Sequence, residues 1–282
     1  MSDTIAIIAP GEMGSAVGRR LAEHGARIIT VVAGRSPASI ARAERAGFVT
    51  MAGLDQLAAA ADVILSIVPP GEAATVAEQW APVLARAKHK PLYVDCNAVS
   101  PETAARIGDV LAPSGAAYVD AGIIGPPPAA SSRTVFYASG AAAPKLERLN
   151  RLGLAVRVLD APIGAASALK MSYAGITKGL TGIGAAMMLG ATRSGAAAAL
   201  AQELAESQPQ LLAWLARQVP RMYPKAYRWV AEMEEIAAFA DGDAAAPQIY
   251  RGLARLYERL ADRAAEDERK QLSDFCQKAA PR

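Results

Sequence analysis

Thiol and imidazole are scarce in this chain: 282 residues include two cysteines, Cys96 and Cys276, and two histidines, His24 and His89. Two thiols far apart in sequence make no disulfide framework and suit a reducing cytoplasm better than secretion. His24 stands near a helix end and His89 sits within Lys88-His89-Lys90. Neither has ligand spacing around it, so a zinc site or a Ser-His-Asp triad is not expected. An excess of one charge is missing too: 30 basic against 27 acidic residues leave +3, too even for nucleic acid as the main partner. No apolar run reaches membrane length. The least polar stretch, Gly179 to Thr192, is full of Gly and Ala and shorter than the ~18 residues that a span needs. The start, Met1-Ser2-Asp3-Thr4, carries no basic leader, and the apolar run after it is too short for a signal peptide.

What the chain does have is core. Hydrophobic residues make up 52% and charged residues 20%, and the length favours two domains. The organising stretch is the N-terminal one. Ile5 to Ala9 reads as a buried strand, breaks at Pro10-Gly11, and restarts as a helix carrying Gly14, Ala16, Val17, Gly18 and Leu21. Strand, glycine turn and helix open a dinucleotide-binding βαβ unit, in which backbone N–H groups and a helix N-terminus meet a pyrophosphate. Gly11, Glu12, Met13 and Gly14 are the cofactor candidates of this turn. The match to G-x-G-x-x-G is imperfect, because Ala9 occupies the first glycine position. On its own the pattern also fits an ordinary tight βα turn.

Arg27 to Ala33 is a second β-branched run, ending in Gly34-Arg35-Ser36-Pro37. NAD-preferring folds place an acidic residue there to bind the ribose 2′-hydroxyl. Arg35 and Ser36 suit a 2′-phosphate instead, which favours NADP(H) over NAD; a solvated loop arginine is the plain alternative. Helices are expected over Ala38–Ala46, Leu54–Ala60 and Glu72–Arg86, with strand residues at Phe48–Val49. Asp62 to Val68 is a buried strand stopped by Pro69-Pro70, and Val68 and Pro69 are placed against the adenosine side of the cofactor, with a plain strand terminator as the alternative. Strand Leu92–Asp95 runs into Cys96-Asn97, and Asn97 lies where an amide can meet nicotinamide or substrate. Ser100 and Pro101 then start a helix. Tyr118 leads into a glycine-flanked loop, in which Gly122 and Gly125 free backbone N–H groups for a ligand or simply make a turn. Arg133–Ser139 and Val156–Leu159 complete the strands.

From Pro162 the character changes, which divides the chain into a dinucleotide-binding domain, 1–161, and a helical domain, 162–282. Gly164 to Gly195 reads as one long helix. At 100° per residue Tyr173 lies about 60° from Lys170 and Thr177 about 20°, so the three share a stripe among small residues. A lysine buried there would have a lowered pKa useful for proton transfer; on the residues alone an exposed or snorkelling lysine is the favoured reading. Lys178 is rotated about 80° from Lys170 and is the weaker candidate. Further helices are expected over Ala196–Ala205, Gln208–Ala216, Tyr223–Ala240 and Gln248–Ala264, with Asp262–Lys270 a solvated helix end.

These segments, in order, resemble the β-hydroxyacid dehydrogenase superfamily of 6-phosphogluconate dehydrogenase-like and 3-hydroxyisobutyrate dehydrogenase-like enzymes. The N-terminal fingerprint, Val68-Pro69, Val94 to Pro101, Asp120 to Gly125 and the Lys170 helix carry the likeness. The resemblance implies an α/β Rossmann domain followed by an all-α C-terminal domain joined by a long interdomain helix, and a homodimer. It makes Lys170 the general acid/base and places Asn97 beside the nicotinamide. By the same resemblance Gly122, Ile123, Ile124 and Gly125 form the substrate loop; Tyr173 and Thr177, which share the Lys170 stripe, are expected to line the pocket. The chain departs from the family pattern in three places. Ile123-Ile124-Gly125-Pro126-Pro127 replaces the usual Ser-Gly-Gly, Tyr173 or Ala174 replaces an asparagine after the lysine, and a lysine-aspartate pair is replaced near Glu232-Met233. Such departures resemble the branch with an unknown-function C-terminal domain. The implied activity is NADP(H)-linked hydride transfer on a small hydroxyacid or carbonyl, with imine reduction or a non-catalytic NADP-binding sensor as alternatives.

Overall fold

A computed structural model describes residues 3–130 and 132–279. Met1 and Ser2, the first residues of the stretch read above for a basic leader, lie outside the described residues. The chain divides into two compact units, the first reaching Lys170 and the second beginning at Met171.

The first unit is a doubly wound sheet. Its strands are β1 (Thr4–Ile8), β2 (Arg27–Thr30), β3 (Val49–Thr50), β4 (Val63–Ser66), β5 (Leu92–Asp95), β6 (Tyr118–Ile124), β7 (Val135–Ser139) and β8 (Ala155–Val158). They lie in the order β3-β2-β1-β4-β5-β6-β7-β8. β1 to β6 are parallel, and the chain reverses once, at the antiparallel β6–β7 pair. The order 3-2-1-4-5-6 is that of the dinucleotide-binding fold, whose ligand crevice opens between β1 and β4 at the carboxyl ends of the strands. Helices α1 (Glu12–Glu23), α2 (Pro37–Arg45), α3 (Leu54–Ala60), α4 (Ala73–Arg86) and α5 (Pro101–Leu111) supply the crossovers.

Continuous apolar strands fit this arrangement because both faces of the sheet are covered. Ile5, Ile7, Val63, Leu65 and Val94 enter the core on one face, and Ala6, Ile64, Tyr93 and Trp80 on the other. Each fully buried Ile or Leu contributes roughly 1.5–3 kcal/mol. Gly18 shows how tightly one layer sits on the next: a β-carbon there would lie 2.2 Å from the Phe48 ring.

The second unit is helical. It takes α6 (Ala165–Arg193) from Met171 onward, with α7 (Ala197–Ser207), α8 (Pro209–Met222), α9 (Ala226–Phe239), α10 (Ala246–Ala261) and α11 (Glu266–Ala279). Among the described residues no helix is long and apolar enough to cross a membrane.

Three expectations need correction. The stretch Asp120 to Gly125 is not a loop: β6 continues to Ile124, because Val135 to Ser139 return antiparallel and take up its backbone groups. The second strand stops at Thr30 rather than Ala33. Asp262–Lys270 is mostly exposed, but it is not the end of the helices: it leads through a short 3-10 turn into α11, which buries Leu272, Phe275 and Cys276. A 3-10 segment at Ala143–Leu152, with Leu146 and Leu149 buried, was also not foreseen.

Candidate active site at the carboxyl ends of the sheet

The turn after β1 adopts the geometry that its sequence motif encodes, although the first glycine is absent. Ala9 takes a left-handed backbone with φ 63°, and its carbonyl accepts the Gly11 N–H at 2.8 Å. Gly14 has to be glycine: a β-carbon would lie 2.5 Å from the Ala9 oxygen and 3.2 Å from Ile7 Cγ2. Gly11 has nothing within 4 Å of such an atom, so open space lies before the helix. No side chain caps α1, which leaves its leading N–H groups for an anion. Glu12 is exposed and Met13 is half-buried against the core, so either would meet a phosphate through its backbone.

Beside this turn lies a cleft of about 550 Å³, lined by Ile8, Ala9, Gly34, Arg35, Thr75 and Gln79 among others. Arg35 is thus at the expected place. Ser36 is not a free ligand group, because its oxygen accepts the Ser39 N–H at 3.3 Å as the cap of α2. Nor do Val68 and Pro69 line this cleft. Val68 is a core residue at 9% exposure and Pro69 is exposed. The wall comes from α4 instead, through Thr75, Val76, Gln79 and Trp80. Their spacing over Glu72–Trp80 is one helix face, a signal present in the sequence.

Further along the sheet, four buried polar residues stand in one row. Ser66 is paired in register with Asp95, Asp95 with Asp120, and Asp120 with Ser139; each is at most 1% exposed. Such burial requires hydrogen bonds, and most are present. Asp120 Oδ2 accepts the Gly164 and Ser167 N–H groups at 3.0 and 3.1 Å and the Ser139 hydroxyl at 3.0 Å; Oδ1 accepts the Ser167 hydroxyl at 2.6 Å. That carboxylate caps α6, the helix that carries Lys170.

Asn97, expected to face a ligand, turns inward and is 3% exposed. Its Oδ1 accepts the Val68 N–H at 2.6 Å, its Nδ2 donates to Ser66 Oγ at 3.2 Å, and its backbone N–H donates to Asp95 Oδ1 at 2.8 Å. The amide ties the end of β5 to the end of β4.

Lys170 stands over β6. A β-carbon on Gly122 would lie 2.8 Å from the Ala166 oxygen and 3.1 Å from Lys170 Cβ, so Gly122 is the close-approach point for α6. Lys170 is half-buried, and no carboxylate among the described residues forms an ion pair with it. Burial holds its pKa below the usual lysine value, against the upward pull of Cys96, Asp95 and Asp120. Asp95 moves the other way: burial raises it to about 6, Asp120 adds to the rise, and Asn97 and Lys170 oppose it.

The other expected substrate residues are divided. Ile123 faces the core, 7% exposed, on the side of the sheet away from Gly122. Ile124 is half-buried on the Gly122 side, and Gly125, with φ 130°, makes the turn under the Arg133 carbonyl. In the second unit Tyr173 is exposed at 51%, and the Thr177 hydroxyl donates to the Tyr173 carbonyl at 2.8 Å. Lys178, the weaker lysine, forms an ion pair with Glu232 and lies 5.3 Å from the centre of the Trp229 ring.

Residues 4–153 match the NAD binding domain of 6-phosphogluconate dehydrogenase, and residues 191–260 match a domain of unknown function, DUF1932. A 28.5 kDa protein of Methanothermus fervidus, described as uncharacterized, is 30% identical over 64% of this chain and 67% of its own length. The 3-hydroxyisobutyrate dehydrogenase of Pseudomonas aeruginosa is 27% identical over 52% of this chain, and the match spans about half, 51%, of that enzyme. Among solved structures, the conserved protein MTH1747, reported as similar to 3-hydroxyacid dehydrogenases, superposes with TM-score 0.77 at 26% identity, over 95% of this chain and 99% of its own. A reductive aminase of Aspergillus terreus in complex with NADPH shares the fold at TM-score 0.58 and 18% identity, over 98% and 100% of the two chains. With the β1 turn, strand order and helical second unit in agreement, the chain belongs to the 6-phosphogluconate dehydrogenase-like family of NAD(P)-binding oxidoreductases, with a DUF1932 C-terminal domain.

Proposed function

We propose that the protein is an NADP(H)-dependent reductase or dehydrogenase of small hydroxyacid or carbonyl substrates, with Lys170 as general acid/base. The observation that carries this is the placement of Lys170 against Gly122 near the carboxyl end of β6, with no ion-paired carboxylate among the described residues, where burial favours the neutral amine. The residues present fit a dinucleotide. Open space before Gly11 and the uncapped start of α1 suit the pyrophosphate, the cleft beside Arg35 suits the adenosine half, and the guanidinium suits a 2′-phosphate. Bound there, the nicotinamide supplies hydride chemistry. The amine form of Lys170 takes the hydroxyl proton in oxidation, and its ammonium form returns a proton to the oxygen in reduction. Asn97 orders the Val68 end of β4 below this site, and Gly122, Ile124 and Gly125 border it. Tyr173 and Thr177 follow on the same helix as further candidates. The division at 161/162 into a cofactor domain and a substrate domain belongs to this reading.

Imine reduction is the second reading, favoured by the Ile124-Gly125-Pro126 turn, which offers no serine or cation to a carboxylate. Absorbance screening of carbonyls, hydroxyacids and cyclic imines with NADPH separates the two. Lys170→Met is expected to lower turnover by about 10²–10⁴-fold with cofactor binding intact. A variant near the wild-type rate would refute the assignment, and loss of all turnover in the wild type would leave the sensor alternative.

We also assign a homodimer and a cytoplasmic setting. On α6 the exposed residues Tyr173, Ile176, Leu180, Ile183 and Met187 recur at alternating steps of three and four, the seam that a second copy of the same helix fits. Buried free thiols at Cys96 and Cys276 accord with a reducing compartment.

A further inference from the structure

Asp95 is a buried carboxylate with half of its hydrogen bonding undone. It is 1% exposed, Oδ1 accepts the Asn97 N–H at 2.8 Å, and Oδ2 has no partner. An orphaned oxygen of this kind is costly, and in a native site it calls for a reason. Its neighbour in register, Asp120, has both oxygens committed to α6 and Ser139. Adjacent strands lie about 4.8 Å apart. Gly122, two residues past Asp120 on the same face of β6, is the place where α6 brings down Lys170. The base of the Lys170 side chain is therefore within a strand or two of Asp95, and a lysine stem spans that distance. Of the two nearby carboxylates, only Asp95 has a free oxygen for the lysine's charge.

We propose that Asp95 is the positioning residue that sets the charge on Lys170: its unpartnered Oδ2 and the Lys170 amine form a coupled pair over the ends of β5 and β6, joined through the polar atom of a bound substrate or water rather than by direct contact. The opposed shifts of the two groups agree with this, each opposing the burial shift of the other. The titratable groups around Asp95 are Tyr93 on its own strand, Cys96 just beyond the end of that strand, Tyr118 and Asp120 on β6, and Lys170 on α6. The helices on that face, α4 and α5, present Trp80, Ala104 and Ile107. Lys170 is thus the one cation among the groups that shape its titration. The pair's catalytic meaning rests on Lys170 being the acid/base, but its existence does not require turnover.

The test is competitive labelling of the full chain with acetic anhydride across pH, read by mass spectrometry at Lys170, with exposed Lys145 as internal reference. Asp95→Asn keeps an acceptor for Asn97 and removes the charge. Its Lys170 labelling midpoint is expected to fall by roughly one pH unit, with Lys145 unmoved. An unchanged Lys170 midpoint overturns the proposal. Should Asp95→Asn not fold, carbon-13 titration of Asp95 in wild type and Lys170→Met decides by reciprocity. Loss of the lysine charge must raise the Asp95 midpoint, and no rise overturns the pair. Both readouts are independent of activity, so a failed substrate screen counts against the reaction and not against the pair.

Discussion

Asp120 and Ser167 are joined twice: the serine hydroxyl donates to Oδ1 at 2.6 Å, and its backbone N–H donates to Oδ2 at 3.1 Å. Lys170 follows Ser167 by less than one turn, so a carboxylate in mid-sheet fixes both the start of α6 and the position of the lysine. Asp120→Asn should cost about 1–3 kcal/mol in urea unfolding, because an amide cannot accept all of the N–H and O–H groups now directed at it. Turnover should fall further than stability alone explains. A variant with wild-type urea midpoint would show that the cap contributes nothing.

Lys170→Met is expected to stabilise the fold near neutral pH. The folded pKa of this lysine lies below 10.5, so the unfolded chain holds more protons across the window between the two values. Stability therefore rises with pH through that window, and the burden of the buried charge is greatest below it. Removing the ammonium lifts that burden at pH 7 and changes little above pH ~10.5. The check is a urea midpoint for both proteins at each pH; a less stable variant at pH 7 would contradict the lowered pKa.

Asp95 gives the opposite slope. Its folded pKa, about 6, lies above its ordinary 3.8, so its contribution to stability is full below pH ~4 and disappears as pH rises through 6. Asp95→Asn should accordingly gain on wild type between pH 4 and 7 in paired denaturation curves. Parallel curves over that range would mean that the carboxyl is not buried as described.

Gly14→Ala should impair the β1 turn, since the added carbon would press on the Ala9 carbonyl. A loss of about 1–3 kcal/mol and much weaker dinucleotide binding are expected. Ala9→Gly relaxes the left-handed angle and should be neutral or slightly stabilising, within about 1 kcal/mol. Fluorescence titration with NADPH and thermal unfolding of both variants test the pair.

Arg35→Glu should weaken NADPH by more than tenfold, a loss above ~1.4 kcal/mol, and leave NADH much less affected. Equal losses for both cofactors would remove the 2′-phosphate role. Ile183→Lys in the α6 seam should lower the mass measured by light scattering to that of a monomer, and an unchanged dimer would place the interface elsewhere.

Much of the first unit was legible in the sequence because its signals are local. A β-branched run, a Gly11–Gly14 turn and an N-cap at Ser100 each declare themselves within a few residues. The stretch after Asp120 misleads for the same reason. Glycines and prolines there look like a loop, and only the distant Val135–Ser139 makes Gly122 to Ile124 a strand. Asn97 and Val68 were each placed near the site. That the first holds the second, 29 residues away, has no sequence signature. Nor does the register that lines up Ser66, Asp95, Asp120 and Ser139, which comes from four strands separated by crossovers. In α11, Glu266 to Lys270 look solvated from their charges, and the apolar positions that bury the helix come only afterwards.

Ala9 has a consequence for how such chains are found. A search that demands glycine at the first position of the dinucleotide motif would pass over this protein, although its backbone turns there at φ 63° as the motif requires. What the glycine letters record is an angle, and an alanine held by Gly11 and overlain by Gly14 can supply it. Pattern libraries written in torsions rather than letters would recover relatives whose fingerprint has drifted in the same way.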